Sequence, residues 1–140
     1  MPGGAGAECP GYNAYSLGTM LAMMQTVRNS GLDDPFAWPE VRAGLEYLRN
    51  LHTPTDPRLG RRALASIGDT HPWQDGAGVV FGMGAAGFKD SDPAFASACM
   101  AMYRHYYGDE GSGDLADDLL RVDQAVPAAR LEDLEWPSAA

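Results

Sequence analysis

Apolar residues in this chain recur at the spacing of a helix face and nowhere alternate as a half-buried strand requires. That pattern predicts an all-α fold. Leu17, Met20, Leu21, Met24 and Val27 draw one stripe over 16–29, with Gly31 placed to close the helix. Residues 1–12, rich in Gly and Pro, read as loop, with Pro10 and Gly11 breaking the backbone. Met20, Met23 and Met24 read as core at this spacing. A second helix starts at Pro39 or Glu40, with Trp38 at its entrance and Val41, Leu45 and Leu48 as its apolar face.

Residues 52–72 form a long connection, since Pro54, Pro57 and Pro72 forbid a continuous helix. The small-residue run "WQDGAGVVFGMGAAGFKD" then predicts a helix packed closely on its neighbours. Asp92 and Pro93 are an N-cap and first-turn proline, followed by Phe95, Cys99, Met102 and Tyr106 on one face, with Gly108 as the stop. "DLADDLLRVDQ" reads as a short helix, and the end "RLEDLEWPSAA" as frayed. Short connections predict antiparallel helical hairpins.

Charge divides the chain in two. Residues 108–140 hold nine acids against two arginines, whereas residues 1–107 hold ten acids against eight bases. A nearly neutral body over 1–107 and an acidic, partly helical tail over 108–140 are expected. A net charge of −9 argues against nucleic acid as a partner, because phosphate neutralisation needs a basic face. An anionic sugar held by a few local arginines is compatible with it. No apolar run reaches the roughly 18 residues of a membrane span, so no membrane contact is expected. Met1-Pro2-Gly3-Gly4 has neither the charged nor the apolar region of a secretory signal.

Several motifs dissolve on inspection. Gly82 to Gly87, "GMGAAG", matches a dinucleotide fingerprint, but "FKDSDP" follows it and no strand precedes it, so close helix packing is the better reading. Cys9 and Cys99 have no metal spacing and read as unpaired small apolar residues. His52, His71 and His105 form no helical metal pair. No metal or cofactor is expected. His105 among Tyr103, Tyr106 and Tyr107 reads as ordinary packing. His71, after Gly68-Asp69-Thr70 in the long loop, is the better functional candidate. Arg58, Arg61 and Arg62 are the one dense basic group, able to offer planar forks to carboxylate or sulfate.

"GAECPGYNAYSL", residues 6–17, places Glu8 four residues before Tyr12 and seven before Tyr15. A tyrosine can serve as general acid without any shift of its reference pKa of about 10. One chemistry that uses such a group is β-elimination on a uronic acid sugar. On spacing alone, core or capping tyrosines remain the default.

The stretch "GAGAECPGYNAYSLGTMLAMMQTVRNSG" resembles the heparinase II/III-like polysaccharide lyases, whose pattern runs G-x-x-x-E-G-P-G-Y-x-x-Y into an amphipathic helix. Glu8, Pro10, Gly11, Tyr12 and Tyr15 match, and Cys9 stands where the family has Gly. "RRALASIGDT" is similar to that family's Gly-Asp-Ser/Thr segment. The resemblance covers most of residues 3–107 and implies part of an incomplete α/α toroid, with Tyr12 as Brønsted acid/base, Tyr15 as its substitute and Glu8 orienting the motif. Arg58, Arg61, Arg62, Asp69 and His71 become substrate contacts to an acidic polysaccharide. The family's Asn/His element and C-terminal β-sandwich have no counterpart in the sequence. The chain therefore reads as a central piece of such an enzyme, weakly active or inactive alone, and periplasmic or secreted within a full-length lyase.

Two rivals stand beside this. A toroid glycoside hydrolase would need paired carboxylates, for which Asp69 with Asp75 or Glu8 is the available set. A non-catalytic helical interaction module needs none. A partial ring also leaves apolar helix faces without neighbours, which predicts self-association.

Overall fold

The computed structural model describes residues 9–71, 76–114 and 121–136. Among them stand four α-helices and no strand: α1 (Pro10–Asn29), α2 (Pro39–Asn50), α3 (Gly76–Phe88) and α4 (Pro93–Tyr107). The all-helical class expected from the periodicity is what the chain adopts.

α1 begins six residues earlier than its apolar stripe suggests. Pro10 occupies the first turn, where its missing N–H costs nothing. The Cys9 carbonyl accepts from Asn13 N at 3.0 Å, starting the helical ladder across the Pro-Gly pair. Pro10 and Gly11 therefore open the helix instead of breaking it, and Tyr12 and Tyr15 lie within its first two turns. Leu21 is fully buried, with Leu17 and Met24 packed against the core. Met20 and Met23 correct the sequence reading: they are 50% and 66% exposed. Apolar residues run all round this helix, and among the described residues only one side of it is covered.

α3 is the centre of the molecule. From Ala77 to Phe88 every residue except Val79 is buried, between α4 on one side and α1 and α2 on others. Its glycines permit the approach. A Cβ on Gly87 would lie 2.1 Å from the Phe36 ring, and one on Gly82 would lie 2.6 Å from Val122 and 2.8 Å from Tyr103. "GMGAAG" is thus a helix interior shaped for contact. Four residues join α3 to α4, and the two pack as a hairpin. Asp92 caps α4, accepting from Phe95 N at 3.0 Å, and Gly108 ends it at φ +67°. Phe95, Cys99 and Met102 are buried as the spacing predicts. α2 presents Val41, Leu45 and Leu48 to this core, and Arg42 ties it to α4 through an ion pair with Asp92.

The long connection after α2 is a folded ribbon. Thr53 N donates to Ala63 O at 2.8 Å, Asp56 N to Arg61 O at 3.0 Å, and Ala65 N to Leu51 O at 2.9 Å. Beyond α4, Val122 and Val126 are buried in the same core, with Leu131, Leu134 and Trp136 packed on it. Of the end expected to fray, the part up to Trp136 is instead held down, the Trp136 ring lying 3.9 Å beneath the Arg62 guanidinium, and 137–140 lie outside the described residues. The short helix expected over "DLADDLLRVDQ" falls largely on 115–120, outside the described residues. No described helix is long and apolar enough to cross a membrane.

Candidate functional site at the start of the first helix

α1 cannot cap itself: Cys9 at its N-cap makes no side-chain bond to the following N–H groups. The cap comes from elsewhere. Gly11 N donates to Thr70 Oγ1 at 2.8 Å across 59 residues, and Thr70 is only 3% exposed. The same hydroxyl, with the N–H groups of Tyr12, Asp69 and Gly11 behind it, also favours the anionic form of the Cys9 thiol. A thiolate is favoured by such donors, Thr70 foremost, so the Cys9 pKa lies below the ordinary thiol value. Gly68, at φ +62°, passes Cys9 so closely that a Cβ would meet Cys9 Cβ at 3.1 Å.

This docking sorts the residues singled out from the sequence. Thr70 touches Gly11, so its neighbours Asp69 and His71 share one end of α1 with Tyr12, and both are exposed. Tyr12 is 54% exposed and Tyr15, one turn on, 76%. Tyr15 also lines a groove of about 640 Å³ between α1 and α3, with Gly18, Thr19, Met23 and Val80. Glu8 and Asp75 lie outside the described residues.

The three arginines do not form one cluster. Arg58 is exposed and paired with Asp56 at 2.7 Å, which pulls that carboxyl down to about 2. Arg61 sits 5.3 Å from the Tyr106 ring centroid. Arg62 donates to Thr53 O at 3.2 Å and covers Trp136. Arg61 and Arg62 thus lean toward α4 and the tail, each engaged by an aromatic ring.

The sequence reading gives Cys9 only as an unpaired small apolar residue and His52 only as a histidine without metal spacing. His52 extends the stripe of Val41, Leu45 and Leu48 by one more turn, and that spacing was the available signal. It is buried, with Nδ1 3.0 Å from Leu48 O and Nε2 2.6 Å from Tyr106 Oη. Nδ1 therefore carries the proton toward the carbonyl, and Nε2 accepts from the tyrosine. Burial pushes the His52 pKa down to about 4, over the opposing pull of the carbonyls. His105 is likewise lowered by desolvation, and its Nε2 lies 2.9 Å from Arg62 O. Together these two histidines fasten the ribbon to α4.

Among the described residues no group of three or more His, Cys, Asp and Glu is placed to hold a metal ion. What the arrangement offers is an exposed phenol on a rigid helix start, beside an exposed acid and imidazole on a docked loop. Comparison with family models, curated proteins and solved structures finds no match to this chain.

Proposed function

We propose that the chain is a helical part of a polysaccharide lyase resembling the heparinase II/III-like enzymes, its hairpins forming part of an incomplete α/α toroid. One observation carries the reading. The two segments that bear the resemblance, Cys9–Tyr15 and Gly68–Thr70, are far apart in sequence yet bonded to each other through Gly11 and Thr70. A docked loop fixes the helix start, and the helix start fixes Tyr12, whose hydroxyl-bearing ring remains exposed.

In this reading the substrate is a uronic-acid-containing polymer. The C5 proton leaves to a base, the C4–O4 bond breaks, and the electron pair closes a C4–C5 double bond. Tyr12 gives its proton to the departing O4 as general acid. Asp69 and His71 contact the sugar from the loop.

The test is prolonged incubation of concentrated protein with heparan, alginate and polygalacturonate, followed by ultraviolet absorbance of the unsaturated uronate. Slow formation of unsaturated product is expected, abolished in Tyr12→Phe and retained in Tyr15→Phe. Unsaturated product at full rate in Tyr12→Phe removes the assigned role. Saturated new reducing ends would point to hydrolysis, and no cleavage of any polymer would set the activity aside.

A further inference from the structure

We propose that the groove between α1 and α3 binds a single-chain lipid, its acyl tail lying along the helices and its glycerol phosphate head in the basic pocket at their far end. The inference does not rest on the elimination chemistry, and Tyr12 does not line the groove.

α1 and α3 run side by side in the same direction. Gly18 approaches Val80, where a Cβ would lie 3.2 Å away, and further along both helices Arg28 donates to Gly87 O at 2.7 Å. The groove follows α1 from Gly11 to Thr26, about 22 Å at the rise of a helix. Ala14, Gly18, Ala22, Val80 and Met83 give it an apolar lining. Thr19 and Thr26 turn their hydroxyls back onto Tyr15 O and Ala22 O, at 3.1 and 3.0 Å. Such a lining suits methylenes better than the hydroxyls of a sugar. Its volume of about 640 Å³ is that of a small-molecule site.

Among the described residues lining this groove one is charged, Arg121. Arg121 also lines a second cavity, of about 430 Å³, so the two meet at its side chain. The second cavity has the opposite character: Arg28, Lys89 and Arg121 stand in it with Asn29, Asp90 and Asp123. A base near the C-terminal end of α1 or α3 is ordinary, because the helix dipole favours a cation there. Arg121 belongs to neither helix, and it brings a third cation to this place in a chain of net charge −9. Arg28 holds Asp34 at 3.6 Å and Lys89 holds Asp123 at 2.9 Å, but a guanidinium has five N–H donors and an ammonium three. Such donors recognise phosphate, and the two aspartates can accept from hydroxyls. A bare carboxylate would leave most of the 430 Å³ unfilled, whereas glycerol phosphate brings both the charge and the hydroxyls that this lining takes. An apolar groove and a polar pocket joined at one cation therefore select a tail and an anionic head within one molecule.

Titration with lauroyl lysophosphatidic acid below its micelle concentration tests this, followed by NMR of isotope-labelled methionine methyl groups. Met23 and Met83 line the groove, and Met20, exposed on the same helix, does not. Saturable shifts at Met23 and Met83 are expected, with Met20 unmoved. Glycerol phosphate without a tail and monolauroylglycerol without a phosphate should each bind at least tenfold more weakly. Arg121→Gln should weaken lipid binding at least tenfold, with the wild-type circular dichroism and melting temperature retained. A titration without shifts overturns the proposal. So do equal shifts at Met20, which mark surface adsorption, an unchanged affinity in Arg121→Gln, or glycerol phosphate binding as tightly as the lipid, which marks a site for free phosphate.

Discussion

The Tyr106 hydroxyl donates to His52 Nε2 at 2.6 Å, joining α4 to the second residue beyond α2. With Nδ1 turned to the Leu48 carbonyl, both ring nitrogens of a buried imidazole are satisfied in its neutral form. Tyr106→Phe leaves Nε2 without a donor. It should lower stability by about 1–2 kcal/mol in urea unfolding, and an unchanged midpoint would mean the pair contributes nothing.

That pair also sets an acid limit. The folded-state pKa of His52, about 4, is below its ordinary 6.5. The unfolded chain therefore binds the extra proton first, and stability is lost as pH falls from about 6.5 toward 4. The full loss is on the order of 3 kcal/mol for a group this buried. Melting temperatures between pH 7 and pH 4 should fall less steeply in His52→Gln than in wild type. Parallel slopes would remove His52 from the account.

Thr70→Val removes the acceptor of Gly11 N and the hydroxyl that favours the Cys9 thiolate. It should cost about 1–2 kcal/mol, as loss of an N-cap does, while Thr70→Ser keeps most of the stability. The variant should also raise the Cys9 pKa, read as slower alkylation near neutral pH. Slower alkylation without destabilisation would mean the hydroxyl serves the thiol alone.

The two thiols should behave oppositely. Cys9 is lowered by its donors, whereas burial in α4 pushes Cys99 up to about 12. In the folded protein iodoacetamide should label Cys9 and spare Cys99 until denaturant is added, as peptide mass mapping would show. Equal labelling contradicts the burial of α4.

Gly87→Ala places a methyl group into the Phe36 ring. Despite alanine's better helix propensity, it should destabilise by about 1–3 kcal/mol through overpacking. Gly76→Ala meets open space at the start of α3 and should be neutral or mildly stabilising. Chemical denaturation of both variants separates packing from propensity.

What the sequence made legible were elements whose signals are local. Asp92, Pro93 and Gly108 bound α4, and Pro39 opens α2, because caps and first-turn prolines act within a few residues. The small-residue run announced α3. The start of α1 was misjudged because its decisive bond comes from Thr70, which no local pattern contains. Met20 and Met23 were assigned to the core because a helix apolar all round does not declare which side is covered. Tyr12 and Tyr15 were visible as residue types. That Asp69 and His71 share their end of the helix was not, nor that Arg61 and Arg62 turn toward α4. His52 continues the spacing of the α2 stripe, but the prolines that follow it place it in the long connection, so its burial was not legible.

The cap supplied by Thr70 has a consequence for how the chain acquires its structure. A helix whose first turn is completed from 59 residues away cannot finish early. During refolding the body of α1 can form as a local event, but the turn holding Tyr12 must wait for loop closure, α2 and the ribbon. Loop-closure entropy comes due before that bond forms, so Tyr12 is set in place as a late, non-local step.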